Sequence, residues 1–274
     1  MKTKVQSMPI VMPNAEYQAN DAVSATDIKN WINTCPKVWH QLKYADAIKL
    51  GNTIIEPPIA LKKAFRDGEL AHAFTLEPIR AAEHYVVCPS KATKAGKEKA
   101  AEIAAAGQEA VTQAEYDLSS NIADAVHNHP LASKLLSFGT PELSFFTQDK
   151  KSGIEVKARP DWLVGDLIID LKTTGEGGAS PEKAIKTIAN LNYHIQAAHY
   201  LETVQAKEFN FIFVEKVYPF AVGIYKLDKD ALLEGRSLRE QALKEISLCH
   251  TDNYWRGYSE TVQTLSMPRW AFKN

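Results

Sequence analysis

Arg159-Pro160-Asp161-Trp162-Leu163-Val164-Gly165-Asp166-Leu167-Ile168-Ile169-Asp170-Leu171-Lys172 is the stretch that decides how this chain folds. It reads as a β-hairpin: one strand over 154–164, a turn at Gly165-Asp166 with the residue chemistry of a tight hairpin, and a return strand over 167–173. Side chains alternate faces along a strand, so Asp170 and Lys172 point one way while Leu171 turns into the core. Folding at Gly165-Asp166 brings Asp161 across from the 168–170 region. The apolar run Leu167-Ile168-Ile169 marks a strand buried on both faces. A carboxylate at the end of such a strand needs a partner or a metal, because burying it alone is costly.

Two carboxylates and an amine converging on one place suit Mg²⁺ beside a phosphate. The ion takes oxygen ligands and keeps several waters, so two carboxylates and a phosphate oxygen suffice. It lowers the pKa of a bound water and offsets charge growing on phosphorus oxygens. Lys172 can then reach the attacking water or the phosphate. The same three residues also fit an exposed hairpin with a solvated charged face, and the hairpin by itself does not choose. Glu142 begins the preceding strand, over 143–147, and is a further candidate carboxylate.

Upstream, residues 1–22 read as a flexible lead-in to a single domain over 23–274. Ser24 is a helix N-cap with Asp27 in the reciprocal capping-box position. That helix breaks at Cys35-Pro36, a second follows to Tyr44, and a long one spans 59–76 before Pro78. A short strand near 83–87, a Lys- and Ala-rich helix over 91–106 and two helices split at Pro130 complete a mainly helical part, 23–138. The sheet core, 139–250, adds a helix opened by Ser180-Pro181, a helix over 193–205, strands over 209–217 and 221–227, and a last helix over 228–248. Residues 251–274 are a C-terminal tail. The pattern is α/β, a mixed central sheet flanked by helices with a helical N-terminal portion.

At 274 residues, 45% apolar and 24% charged, the chain has the composition of a globular protein with a sizeable core. A net charge of −1 advertises no nucleic-acid binding, although the distribution of charge matters more than its sum. Cys35, Cys88 and Cys249 are scattered and odd in number, which argues for reduced thiols in the cytoplasm and against a zinc or disulfide framework. Lys2 and Lys4 lack the apolar stretch of a signal peptide, and no run is long enough to span a membrane.

Two helical pairs join the hairpin. Gly68 and His72 share a face of the 59–76 helix, where glycine suggests a close backbone approach and His72 can offer a neutral imidazole to a metal. Gln196 and Tyr200 form the second pair, suited to a DNA phosphate or base and to the surroundings of Lys172. With His194 and His199 nearby, a polar helix face accounts for all four equally well.

In this order, Gly68-x-x-x-His72, Arg159-Pro160-Asp161, Asp170-Leu171-Lys172-Thr173 and Gln196-x-x-x-Tyr200, the motifs resemble the RecB-type branch of the PD-(D/E)xK nucleases. The likeness is to the C-terminal nuclease domain of exonuclease VIII (RecE-like) and its phage relatives, and it includes Ser24 to Lys29. It implies a restriction-endonuclease-like core. It also implies His72, Asp161, Asp170 and the Leu171 carbonyl as metal ligands, Lys172 as the catalytic lysine, and Gln196 and Tyr200 in support of site and substrate. The activity implied is Mg²⁺-dependent exonucleolytic digestion of linear double-stranded DNA, 5′ to 3′, with Mn²⁺ able to substitute. Its setting is phage-type recombination or repair in a bacterial or phage-infected cell, with a single-strand annealing protein as partner and a homo-oligomeric ring as assembly. The four cysteines that hold an iron–sulfur cluster in some relatives are missing, so no cluster is expected. Lys91, Lys94, Lys97 and Lys99 could line a ring's channel or form a solvated helix face. A structure- or sequence-specific endonuclease, or a non-cleaving DNA-binding recombination accessory protein, are the alternatives on the same core.

Overall fold

The computed structural model describes residues 8–272 apart from 45–48, 51–52, 55–58 and 91. The helical portion opens with α1 (Asn14–Ala19), α2 (Ala25–Asn33) and α3 (Pro36–Tyr44), followed by the short hairpin β1 (Lys49–Leu50) and β2 (Thr53–Ile54). Ser24 caps α2 in a full capping box with Asp27, as its spacing predicts. Next come α4 (Ile59–Leu76) and α5 (Pro78–His84), then β3 (Tyr85–Val87), α6 (Lys94–Ala105) and β4 (Glu109–Val111), with β3 and β4 paired in parallel. A second capping box, Thr112 with Glu115, starts α7 (Gln113–Asn128), and Pro130 occupies the first position of α8 (Pro130–Leu136).

The remaining strands are β5 (Thr140–Pro141), β6 (Phe145–Gln148), β7 (Glu155–Ala158), β8 (Trp162–Val164) and β9 (Leu167–Thr174). After them come α9 (Pro181–Asn190), α10 (Tyr193–Val204), β10 (Glu208–Glu215), β11 (Val222–Lys226) and α11 (Lys229–Asp252). The main sheet runs β11-β10-β9-β8-β5, with β9 and β10 parallel and joined across α9 and α10, and the other neighbours antiparallel. β9 is therefore the middle strand, clamped on both edges. Its two faces separate as the sequence pattern requires. Ile169 and Leu171 pack with Ile212 and Val214 against Ala71 of α4 and Ile122 and Val126 of α7. Ile168 packs with Phe209, Phe211 and Phe213 against Ala184 and Ile188 of α9 and Ala197 of α10. Each fully buried branched side chain in these layers contributes about 1.5–3 kcal/mol, which fixes the strand register. The register in turn fixes which residues reach the site.

Three expectations need correction. The strand read over 154–164 is two strands in two sheets: β7 pairs with β6 and takes a single parallel bridge from Val23, whereas β8 pairs with β9. Pro160 supplies no N–H to a ladder, and the chain turns there, leaving Asp161 in the break between strands. Glu142 does not begin a strand. It sits between β5 and β6 with φ 53°, in the left-handed region that an L-residue seldom adopts. The stretch read as a flexible lead-in makes defined contacts with the rest of the chain at Ile10, Tyr17 and Asn20. Ile10 bridges to Ser144, Tyr17 is buried, and the ammonium of Lys157 donates to the carbonyls of Tyr17 (2.8 Å) and Asn20 (2.6 Å), capping the C-terminal end of α1.

Candidate active site

Past the last β8–β9 pair, Trp162 with Ile169, Leu171 has no partner on the β8 side. The carboxylate of Asp161 takes that place, with Oδ2 accepting from Leu171 N at 2.8 Å. The same oxygen lies 3.4 Å from Nδ1 of His72, which α4 carries to the site. Glu142 is drawn in by two contacts: its amide donates to the Asp161 carbonyl at 3.2 Å, and its carboxylate receives Nε of Arg159 at 2.6 Å. His72, Glu142 and Asp161 each present a ligand atom within 4.8 Å of the others.

Asp170 stands beside this cluster rather than in it. It is fully buried; Oδ1 accepts from Nε2 of Gln196 at 2.7 Å, and Oδ2 lies 2.5 Å from Nζ of Lys172. Glu142, ranked behind Asp170 as a ligand, joins His72 and Asp161, while Asp170 is engaged by Gln196 and Lys172. The strand pattern explains the division: Asp170 and Lys172 share the β9 face that looks toward α10.

The electrostatics mark the cluster as short of positive charge. Burial, and then the charge of Asp170, push the Asp161 carboxyl up to about 8; burial and Asp161 push Glu142 up to about 7. Burial and the neighbouring Lys172 push His72 down, toward the neutral imidazole that ligates metals. Burial draws Lys172 down, but Asp170 and Asp161 outweigh it and keep the amine an ammonium. Crowded oxygens, a neutral imidazole and a backbone carbonyl could hold a divalent cation, and such an ion would relieve the mutual repulsion of the carboxylates.

Other expected residues fall in instructive places. The glycine at 68 is not a close-approach position, since an added Cβ would meet only Thr173 Oγ1 at 3.9 Å. It lines an open cleft with His72, Glu142 and Arg159. Tyr200 lines a second cleft with Lys172, Gln196, Tyr193 and Lys29. The polar face expected of α10 is largely interior: Ile195 to His199 are all buried. On α6, Lys94 and Lys99 pair with Glu98 (3.9 Å) and Glu102 (3.1 Å), as on a solvated helix face, while Lys91 lies outside the described residues. Reading the sequence passed over the part played by Arg159, although it stood in the quoted motif, and it did not single out Lys29 or Tyr193.

Against known proteins, the sequence matches a PDDEXK-like domain of unknown function (DUF3799) over residues 26–268. No curated protein matches it in sequence. Among solved structures, the fold is similar to that of a putative exonuclease from Eubacterium rectale, with a TM-score of 0.63 at 17% identity, covering 95% of this chain and 96% of that one. A phage related exonuclease from Haemophilus somnus 129PT aligns at a TM-score of 0.32 and 15% identity over 67% of this chain and 94% of its own, too loosely to weigh. Among the described residues no helix is long and apolar enough to cross a membrane. With its mixed sheet, its acid–acid–lysine hairpin and a match along most of its length, the chain belongs to the PDDEXK-like domain family DUF3799.

Proposed function

We propose that this protein is a metal-dependent nuclease that hydrolyses phosphodiester bonds at the ends of linear double-stranded DNA, with Mg²⁺ as its working ion and Mn²⁺ able to replace it. The observation that carries this reading is the gathering of His72, Glu142 and Asp161 within 4.8 Å beside the Asp170–Lys172 pair. His72, Glu142, Asp161 and the Leu171 carbonyl would hold the cation, and Asp170, whose oxygens keep lone pairs beyond those taken by Gln196 and Lys172, would share it. Bound there, a divalent cation supplies charge neutralisation at the phosphate and an acidified water.

The chain's own residues do the rest. Gln196 fixes Asp170, and Asp170 fixes Lys172 as an ammonium at the mouth of the second cleft, where it can offset charge on the phosphoryl oxygens or orient water for in-line attack. Arg159 holds one oxygen of Glu142 and turns that carboxylate toward His72 and Asp161. By the family likeness, digestion runs 5′ to 3′, the subunits form a ring, and the product strand passes to an annealing protein. Duplex labelled at either end, a closed circle and a light-scattering mass test these points together. We expect Mg²⁺-dependent loss of the linear form from its 5′ ends and an intact circle. Cutting of the circle would make it an endonuclease on the same core. Absence of metal binding in a calorimetric titration would leave a DNA-binding accessory protein.

A further inference from the structure

The ring of Tyr193, in the first turn of α10, carries two ammonium groups. Nζ of Lys172 lies 4.5 Å from its centroid and Nζ of Lys29, from α2, lies 5.2 Å from it. All three side chains line the second cleft. The other lysines there are already engaged: Lys43 with the Asp27 carboxylate and the Ala22 carbonyl, Lys157 with the carbonyls at the end of α1, and Lys172 with Asp170. Lys29 makes no ion pair and no hydrogen bond among the described residues. It is half-buried and held over an aromatic face beside a second cation. A partly desolvated ammonium next to a like charge is unfavourable, and an aromatic face offsets only about 0.5–2 kcal/mol of that. The missing element is an anion.

Resting on the nuclease reading, we infer that Lys29 and Tyr193 form a seat for a phosphate of the substrate strand, next to the bond that Lys172 serves. The seat is prepared by the fold: the Ser24–Asp27 capping box fixes the first turn of α2, and Lys43 neutralises Asp27, leaving Lys29 as the unpaired cation of that helix end. Burial and then Lys172 bring Lys29 down to about 8, and Asp170, already paired with Lys172, offsets them only in part.

The ligand chemistry is a phosphate oxygen, from a terminal monoester or an internal diester, and the test separates them. Fluorescent duplexes with 5′-phosphate or 5′-hydroxyl ends are titrated in EDTA against wild type, Lys29→Gln and Lys29→Arg, with thermal melting to confirm folding. We expect Lys29→Gln to weaken binding about tenfold and to lower the salt slope of log K by about one, and Lys29→Arg to restore most of both. A deficit confined to 5′-phosphate ends assigns a monoester seat; an equal deficit on both assigns a diester seat. Unchanged affinity and salt slope in Lys29→Gln would overturn the seat, as would a wild type that binds neither duplex. A wild type that binds with this Lys29 dependence and never cuts would leave the seat standing and remove the nuclease reading.

Discussion

Two buried polar clusters meet α10, and they are built on opposite principles. Gln196 reaches Asp170, beside the acid group around Asp161. Three residues further along the same helix face, His199 is fully buried, with Nε2 2.9 Å from the Lys157 carbonyl and Nδ1 accepting from Nε of Arg239 at 3.3 Å. Arg239 continues to Asp149 at 2.9 Å, and Asp149 also accepts from the amide and hydroxyl of Ser152, both at 2.9 Å. Here burial would raise the carboxyl, but the Ser152 amide and Arg239 together bring Asp149 below its usual range, whereas Asp161 is driven up to about 8. Two aspartates in one chain thus shift in opposite directions. One cluster satisfies its charges and holds α10, α11 and the β6–β7 turn together. The other leaves charge unbalanced, and unbalanced charge in a cleft is what a site retains for a ligand.

Neutralising each aspartate breaks or sustains this contrast. Asp161→Asn should cut the digestion rate about thousandfold, roughly 4 kcal/mol of barrier, while the metal-free protein becomes more stable at alkaline pH. The sign follows from a raised pKa: folded Asp161 keeps its proton to about 8 and the unfolded chain loses it near the ordinary value of 3.8, so stability falls as pH rises between them and the amide escapes that loss. Full activity in this variant would end the site assignment; urea melts at pH 6 and pH 9 read the stability half. Asp149→Asn should do the reverse, costing about 3 kcal/mol by stranding Arg239 while activity per folded molecule stays within about twofold of wild type. A stable Asp149→Asn protein would remove the structural half of the contrast.

Two smaller effects sharpen it. Metal binding must displace protons from Asp161 and Glu142, held to about 8 and 7, so Mn²⁺ affinity should tighten about a hundredfold between pH 6.5 and 8.5. Calorimetry in two buffers of different ionisation enthalpy would show the released protons, and a flat profile would mean the carboxylates are already ionised. Gly68→Ala, with space for its methyl, should stabilise α4 by about 1 kcal/mol. If it stabilises and also slows cutting, the gap beside His72 serves the substrate rather than the helix.

Much of this was legible in the residues. The Ser24 cap, the limits of the 59–76 helix, the split at Pro130 and the Gly165-Asp166 turn are local decisions, and local chemistry made them readable. Val164 pairs with Leu167 across that turn, with Gly165 at φ 56°. What stayed hidden depends on contacts between distant segments. Glu142 joins the cluster through a left-handed backbone and Arg159, neither of which its flanking sequence announces. His199 looked like part of a polar surface because periodicity cannot report that Arg239, forty residues on, will bury and bind it. Lys29 and Tyr193 are separated by most of the chain, so no spacing rule links them.

The clamping of β9 between two neighbours has a consequence for how such a chain can change. Moving the strand by one residue against β8 and β10 would carry Asp170 into the layer with Ile212 and Val214 and turn Leu171 toward α10. A single insertion in Gly165-Asp166 threatens that shift, whereas insertions between α9 and α10 need not touch the pairing. Lineages of this protein should therefore vary freely in length around residue 191 and hardly at all at 165–166, so the length of one two-residue turn is itself a signature of an intact site.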